Sequence, residues 1–239
     1  MFKYDLTIII PSLNESDNLE KLIPEIKSEI GKKFTYEIFI IDGINKDNKT
    51  FKITQENSIR YLNRIKNNDY GNAVRLGIKK STGKYILFMD GDYSHNPKFI
   101  LKLYENKRYD VVIASRYVLG GKTDNSFLSE TLSRLLNKFY NIILNLQLED
   151  VSNSFKLYNT KMIKRLYLSC NHFDIIEEII FKLKKNNDKI KFLEVPYHFK
   201  QRKFGKSKRN FFIIIAYLFS ILKLRIFDGW TSQFIKAHL

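Results

Sequence analysis

Short, unbroken apolar runs alternate along the first half of the chain with stretches in which apolar residues recur every three or four positions. Leu6 to Ile10 is one such run, closed by Pro11, and reads as a strand buried on both faces. From Asn18 to Ile30 the period changes, so that Leu19, Leu22, Ile23, Ile26 and Ile30 share one face of a helix. Glu37 to Ile41 predicts a second strand, ending at Asp42-Gly43, and Ile59 to Leu62 a short third one. A helix over Asn72 to Lys80 is ended by Ser81-Thr82-Gly83. A strand over Tyr85 to Met89, a short helix begun by Pro97 and a strand over Val111 to Ala114 follow. Strands alternating with helices predict a parallel, doubly wound α/β sheet.

Beyond Ala114 the pattern is different. Leu128, Leu132, Leu135, Leu136, Phe139, Ile142, Ile143 and Leu146 recur at helical spacing and predict a long amphipathic helix. A second helix is expected over Phe173 to Lys185, with Ile175, Ile176, Ile179, Ile180 and Leu183 inward, and a late strand over Ile190 to Val195 ends at Pro196. No repeat or Gly/Ser/Pro-rich linker divides the chain. One domain over residues 1–209 with a helical tail over 210–239 is the organisation expected.

The Tyr85–Met89 run ends in Asp90-Gly91-Asp92. Ligands collect at the carboxyl ends of strands in open α/β sheets. Two hard oxygen donors flanking a glycine at such a position suit a divalent cation that holds phosphates. A polar turn after a strand would also place Asp and Gly there, and the segment alone does not separate the two.

Composition narrows the field. An apolar fraction of 44% with 19 Phe and 14 Tyr among 239 residues is ample for a core and excludes disorder. A single cysteine, Cys170, excludes an internal disulfide framework and fits a reducing compartment. Met1 runs almost directly into the first strand, so no signal peptide is expected, and no apolar run reaches the ~18 residues of a spanning helix.

The net charge is +16, and no acidic residue occurs from Val195 to Phe227, a window holding Lys200, Arg202, Lys203, Lys206, Lys208, Arg209, Lys223 and Arg225. Such a block suits nucleic acid, anionic lipid or an acidic substrate. No recognition-helix, zinc or stacking-platform motif supports nucleic acid. Phe211 to Leu222 is apolar on nearly every face and bounded by cations; it reads either as an interfacial membrane helix or as a core helix covering the sheet.

The motifs, taken in order, resemble one family. They are Ile8-Ile9-Ile10-Pro11-Ser12-Leu13-Asn14-Glu15; Gly71-Asn72-Ala73 and Gly77 before Thr82-Gly83-Lys84-Tyr85-Ile86; and Asp90-Gly91-Asp92-Tyr93-Ser94-His95-Asn96-Pro97-Lys98-Phe99. Ser115-Arg116-Tyr117 with Gly120-Gly121, Asp150-Val151-Ser152-Asn153-Ser154-Phe155-Lys156-Leu157-Tyr158 and Arg202-Lys203-Phe204-Gly205-Lys206-Ser207-Lys208 complete the set. From about Leu6 to Lys208 the chain resembles glycosyltransferase family 2, and within it the dolichol-phosphate mannose synthase (polyprenyl-phosphate sugar transferase) group.

The resemblance implies a GT-A fold: a Rossmann-like nucleotide-sugar domain with a mixed sheet. It places Pro11, Leu13, Glu15, Asp42, Gly71 and Asp90 around the sugar nucleotide, with Asp42 at base or ribose. Asp90 and Asp92 would hold Mg²⁺ or Mn²⁺ against the donor diphosphate, with Ser94 or His95 close enough to complete the site. Arg116, Ser133, Arg134, Arg202 and Lys208 are the residues implied for the acceptor phosphate, and Asp92, Arg116 and Arg202 carry the catalytic roles.

Charge then suggests a mechanism. A lipid phosphate, with a second pKa of ~6 by analogy with phosphorylated side chains, is already nucleophilic at neutral pH. It needs cations to position it more than it needs a base, and Arg recognises phosphate in a bidentate manner. A hydroxyl acceptor would instead call for a carboxylate base, for which Asp150 or Glu178 is available.

Three departures from the family pattern bear on donor and acceptor. Ile41-Asp42-Gly43 carries one acidic residue where two are usual, and the next acidic residue, Asp47, is spaced one residue further on. Asp69 replaces the first Gly of a Gly-x-Gly turn, and Ser129 stands where relatives carry an Arg one turn before the residue aligned with Ser133, with Arg134 as the neighbouring cation. The expectation is inverting, metal-dependent transfer of a hexose, foremost mannose from GDP-mannose, onto a polyprenyl or dolichyl phosphate. The protein would work at the cytosolic face of a membrane as a peripheral protein, with or without a small membrane-spanning partner and without nucleic acid. The alternative is a family 2 transferase acting on a sugar hydroxyl of a surface polysaccharide or glycan.

Overall fold

The computed structural model describes residues 1–44, 48–64, 68–200, 222 and 224–226. Its first half consists of β1 (Tyr4–Ser12), α1 (Ser16–Ile30), β2 (Tyr36–Asp42), α2 (Lys49–Glu56), β3 (Arg60–Asn63), α3 (Tyr70–Lys80), β4 (Gly83–Phe88), α4 (Phe99–Glu105) and β5 (Val111–Ser115). The second half comprises β6 (Lys122–Thr123), α5 (Phe127–Leu144), β7 (Lys156–Asn159), α6 (Thr160–Ile163), α7 (Ile175–Asn186), β8 (Phe192–Pro196) and β9 (His198–Phe199). Every strand and helix expected before Ala114 is present. β1 continues through Pro11, pairing there with β2 only, because its ladder with β4 stops at Ile9–Phe88. A residue without an N–H is tolerated where a ladder has ended.

The main sheet has the order β3-β2-β1-β4-β7-β5-β8. All neighbouring strands are parallel except where β7 runs against β4 and β5. The chain winds outward from β1 to β2 and β3, then returns to place β4 on the other side of β1, so the strand order reverses between β1 and β4. Ligand crevices of open α/β sheets form at this kind of switch point.

The pleat divides the core into two layers. Ile8, Ile10, Ile40, Leu87 and Val112 face α1 and α4, whereas Ile9, Ile41, Ile86, Phe88 and Ile113 face α3, α5 and α7. Burial on both faces explains why these strands read as continuous apolar runs.

Four elements depart from the sequence pattern. α2 buries only Thr50, Ile53 and Thr54, too little apolar periodicity to register. β7 is four residues with a lysine at its start, yet it is central and fully paired on both sides. α5 forms as expected, but it buries Asn137, Tyr140 and Leu144 and leaves Leu128, Leu132, Leu135 and Ile142 exposed. α7 is enclosed more completely than its periodicity suggests, with Glu177, Glu178 and Lys182 buried beside its isoleucines.

Lys156 opens β7 from wholly inside the protein, its Nζ donating to the carbonyls of Val151, at 2.9 Å, and Asn153. Burial drives its pKa down from 10.5 to about 8 against the opposing pull of Asp150. Between these values the unfolded chain holds a proton that the folded chain has lost, so stability attributable to Lys156 rises as the pH climbs through this window. Chemical denaturation of the native chain and Lys156→Met from neutral to alkaline pH should show the native chain gaining relative stability across that range. A difference independent of pH would mean that Lys156 titrates normally.

Candidate active site

Asp90 and Asp92 lie just past the carboxyl end of β4, at the switch point. The turn carrying them is held from several directions. Met89 donates its N–H to the Ile9 carbonyl at 3.1 Å, continuing the β1 side of the ladder. Tyr93 adopts a left-handed φ of 67°, a conformation uncommon for a bulky residue. Its hydroxyl donates to Glu25 on α1 at 3.0 Å, and burial with that carboxylate pushes its pKa up to about 12. The Tyr197 hydroxyl closes the far side, accepting the Asn96 N–H at 2.7 Å and donating to the Ser94 carbonyl at 2.9 Å.

The two carboxylates are arranged differently. Asp90 is 26% exposed and accepts the Ser154 hydroxyl at 3.0 Å. Asp92 is buried and accepts both the hydroxyl and the N–H of Ser94, the latter at 3.1 Å. Ser94 therefore orients Asp92. His95 is fully enclosed and stacks on Phe155 at 4.6 Å between ring centroids. Its Nδ1 accepts the Asp90 N–H at 2.9 Å, which leaves the proton of the neutral ring on Nε2. Burial lowers the pKa of this ring and so favours the neutral form. Nε2 lies 3.9 Å from Asp90 Oδ2 and has no hydrogen-bond partner among the described residues.

This donor set fits a divalent metal. Two hard carboxylates follow the same strand end with one residue between them, and no group of three or more His, Cys, Asp or Glu side chains that could enclose an ion occurs among the described residues. Mg²⁺ is bound in this way, by one or two carboxylates with phosphates and water filling the remaining positions.

The other side of the switch point, where the residues expected around a nucleotide lie, is built on the ends of β1 and β2. Pro11, Leu13 and Glu15 are each partly exposed there, and Glu15 accepts from the Asn18 side chain at 2.7 Å. Asp42 is buried, its carboxylate accepting the Gly43 N–H at 2.9 Å and lying 3.4 Å from the Tyr61 hydroxyl. The residue that organises this corner is one the sequence did not flag. Arg64, buried just beyond β3, donates to the carbonyls of Ser12, Asp42, Asn68 and Asp69, the last three at 2.9–3.1 Å. It thereby ties the ends of β1 and β2 to the entry of α3. A lone Arg among lysines and asparagines carries no signal of burial.

Gly71 stands at the start of α3. Its N–H donates to the Asn171 carbonyl at 2.7 Å, and a Cβ there would lie 2.2 Å from the Cys170 carbonyl oxygen. The glycine is what allows the 169–172 segment to approach the site. Glu178 secures that segment from below, accepting from the backbone of Ser169 and Cys170 at 2.9 Å and from Lys182 at 2.8 Å. Burial would raise its pKa, but Lys182 and these donors outweigh burial and hold the carboxylate ionised.

Arg116, at the carboxyl end of β5, is not presented as an open cation. Its guanidinium is buried and clasps Asp150 with two bonds of 2.7 Å, and its own N–H adds a third at 2.9 Å. Burial opposes both charges, yet the pair overrides it, lowering the pKa of Asp150 and raising that of Arg116. The guanidinium groups of Arg116 and Arg134 both lie on the Tyr117 ring, 4.7 and 4.4 Å from its centroid. Arg134 is half-exposed and paired with Glu130, and Ser133 beside it is partly buried. Tyr117, Arg134, Lys138, Asn141 and Glu149 line a cleft of about 360 Å³. The structure thus gathers Arg116, Ser133 and Arg134 in one region, while Arg202 and Lys208 fall outside the described residues.

One segment connects the surroundings of Asp90 with those of Arg116. Asp150 meets Arg116, Asn153 donates to the Ala114 carbonyl, and Ser154 donates to Asp90. Removing the Tyr197 hydroxyl from the opposite wall isolates the contribution of that wall. Tyr197→Phe leaves the Ser94 carbonyl and Asn96 N–H without their partner, at a cost of ~1–3 kcal/mol. The melting temperature should fall by roughly 2–4 °C for each kcal/mol, and amide exchange should accelerate selectively over residues 93–96. Unchanged exchange there would show that Tyr197 does not hold the turn.

Comparison with known proteins follows the same geometry. A family model described as Glycosyl transferase family 2 matches residues 7–167. The dolichol-phosphate mannosyltransferase of Pyrococcus furiosus is 31% identical over 243 aligned positions, covering 98% of this chain and 67% of the relative. Among solved structures, glucosyl-3-phosphoglycerate synthase from Mycobacterium tuberculosis, in complex with Mn²⁺, uridine diphosphate and glucosyl-3-phosphoglycerate, superposes with a TM-score of 0.69 at 14% identity. The match covers 92% of this chain and 81% of that one. The same enzyme with Mg²⁺ and uridine diphosphate gives 0.69 at 14% identity, over 92% and 80%. At that identity the likeness concerns the fold, which is of the GT-A type. With well over half of its residues matched by the family model, the chain belongs to glycosyl transferase family 2.

Proposed function

We propose that this transferase moves a hexose, with mannose from GDP-mannose the leading candidate, onto a polyprenyl or dolichyl phosphate with inversion and with the help of Mg²⁺ or Mn²⁺. The observation that carries the reading is similarity along 98% of the chain to a dolichol-phosphate mannosyltransferase, with Asp90 and Asp92 at the switch point. Asp90 and Asp92 would hold the cation, Ser94 and Ser154 fixing their carboxylates. When bound, the cation would neutralise charge on the departing diphosphate. Pro11, Leu13, Glu15, Asp42 and Gly71 would shape the nucleotide pocket, with Asp42 at the base or ribose. Solved structures of similar fold contain uridine diphosphate with Mn²⁺ or Mg²⁺.

The protonation pattern favours an ionised phosphate over a hydroxyl acceptor. Asp150 and Glu178, the carboxylates available as bases, are both held ionised by buried cationic partners. A general base works best with a pKa near the operating pH, and neither is tuned that way. An acceptor phosphate with a pKa of ~6 is ionised already. It needs positive charge, for which Arg134 and the Arg202–Lys208 segment are the candidates. No helix among the described residues is long and apolar enough to cross a membrane. We propose that a lipid acceptor is met by peripheral contact with the cytosolic face, alone or with a small membrane-spanning partner.

A donor panel tests this reading. GDP-mannose, UDP-glucose and related labelled donors are incubated with dolichyl or undecaprenyl phosphate and Mg²⁺ or Mn²⁺; metal-dependent label in the organic phase is expected. Label on an oligosaccharide and none on lipid phosphate would favour the surface-glycan alternative. Asp92→Asn should reduce turnover by at least roughly a hundredfold with an unchanged circular dichroism spectrum. Full activity in that variant would rule out the metal role of Asp92.

A further inference from the structure

His95 lies wholly inside the protein, in the turn that carries Asp90 and Asp92. Three aromatic neighbours fix its ring: it stacks on Phe155 at 4.6 Å and meets Tyr197 and Phe199 edge-on at 6.4 and 6.0 Å. Tyr197 also holds the backbone on either side of it, at the Ser94 carbonyl and the Asn96 N–H. Nδ1 accepts the Asp90 N–H at 2.9 Å. The ring proton is therefore on Nε2, and neither nitrogen has a lone pair left for an ion. Nε2 is buried without a hydrogen-bond partner among the described residues, and Asp90 Oδ2 lies 3.9 Å from it. A buried donor without an acceptor is costly, and native structures keep few of them.

We infer that His95 is a positioning residue for the metal site: its Nε2–H donates to Asp90 Oδ2 when a divalent cation is bound, orienting that carboxylate without touching the ion. The inference rests on Asp90 as a metal ligand. Both oxygens of Asp90 are then held from within the protein, Oδ1 by the Ser154 hydroxyl at 3.0 Å and Oδ2 by His95. Ser154 and Phe155, the ring's stacking partner, are neighbours in the chain, so one segment sets both contacts. Asn153, a further polar side chain beside the ring, is the competing acceptor. Its oxygen already takes the Phe155 N–H at 3.2 Å, and its nitrogen donates to the Ala114 carbonyl at 2.6 Å. A carboxylate fixed by donors behind it presents its remaining lone pairs to the ion, and losing such an outer partner costs roughly 10- to 100-fold in metal affinity.

Two substitutions separate the roles of the ring nitrogens. His95→Asn keeps an acceptor for the Asp90 N–H and removes the Nε2 donor, whereas His95→Gln keeps a donor at the ε position and removes the Nδ1 acceptor. Mn²⁺ binding by the full chain is followed by water-proton relaxation, with the metal alone and with GDP or UDP added. His95→Asn should weaken binding roughly 10- to 100-fold, and His95→Gln should recover most of that loss. Native affinity in His95→Asn, or a larger loss in His95→Gln, would show that the ring only holds the turn and would overturn the inference. If Asp90→Asn weakens binding and His95→Asn does not, the metal reading stands and the inference alone falls. A native chain that binds no Mn²⁺ under any of these conditions overturns both. A measurement on the native chain avoids any folding defect of the variants. On adding Mg²⁺, the His95 Nε2–H proton resonance should move downfield as the bond to Asp90 forms. A resonance that Mg²⁺ leaves in place overturns the inference and makes Asn153 the acceptor.

Discussion

The buried ion pair between Arg116 and Asp150 is the constraint on which the carboxyl edge of the sheet depends. Arg116 follows β5, and Asp150 begins the segment that enters β7 in the opposite direction, so the pair pins together two strands of opposite sense. Removing one partner of such a pair leaves a buried charge uncompensated, at a cost of ~3–5 kcal/mol. From this anchor the next residues are fixed in turn: Asn153 on Ala114, Ser154 on Asp90, and the Lys156 ammonium beneath them on the carbonyls of Val151 and Asn153. The orientation of Asp90 is thus set in part from a different strand, through a segment whose own position is electrostatic.

This use of charge changes the meaning of the chain's basicity. Arg64, Arg116 and Lys156 lie inside the protein, and each is committed to carbonyls or to Asp150. They brace the crevice from inside through these partners. Among the described residues, the cations that line the cleft beside Tyr117 are Arg134 and Lys138 on α5. Net charge therefore says little about how a phosphate is held; which cations the fold has already engaged says much more.

The parts of the structure that were legible in the sequence are those where one local rule decides the outcome. β1, β2, β4 and β5 are buried on both faces and so read as apolar runs, and the carboxylates after β4 could be placed at the switch point without coordinates. β7 was not legible as a strand, because Lys156 is satisfied by two carbonyls of its own loop, a tertiary arrangement that no periodicity encodes. Arg64 and Tyr197 were missed for a related reason: each acts through backbone groups distant in sequence, and nothing in its neighbours announces burial. Arg116 was identified as a residue of the site, but its pairing with Asp150 became visible only when both were placed at the same sheet edge. α5 shows the limit of periodicity itself. Its apolar spacing correctly gives a helix, yet spacing cannot state which face meets the protein.

That ambiguity on α5 bears on the chemistry. An acceptor with an anionic head and a long apolar chain poses two demands that soluble substrates do not combine: cations at one end and an apolar path at the other. α5 carries both kinds of surface within a few turns, since Arg134 and Lys138 line the cleft while Leu128, Leu132, Leu135 and Ile142 are exposed. The neighbouring Tyr117 ring connects Arg134 to Arg116, and through Asp150 and the segment to Ser154 the same helix is linked to Asp90. α5 and the carboxyl ends of β1, β2 and β4 thus border the crevice from separate sides, and the buried network between them keeps the two sides in fixed register.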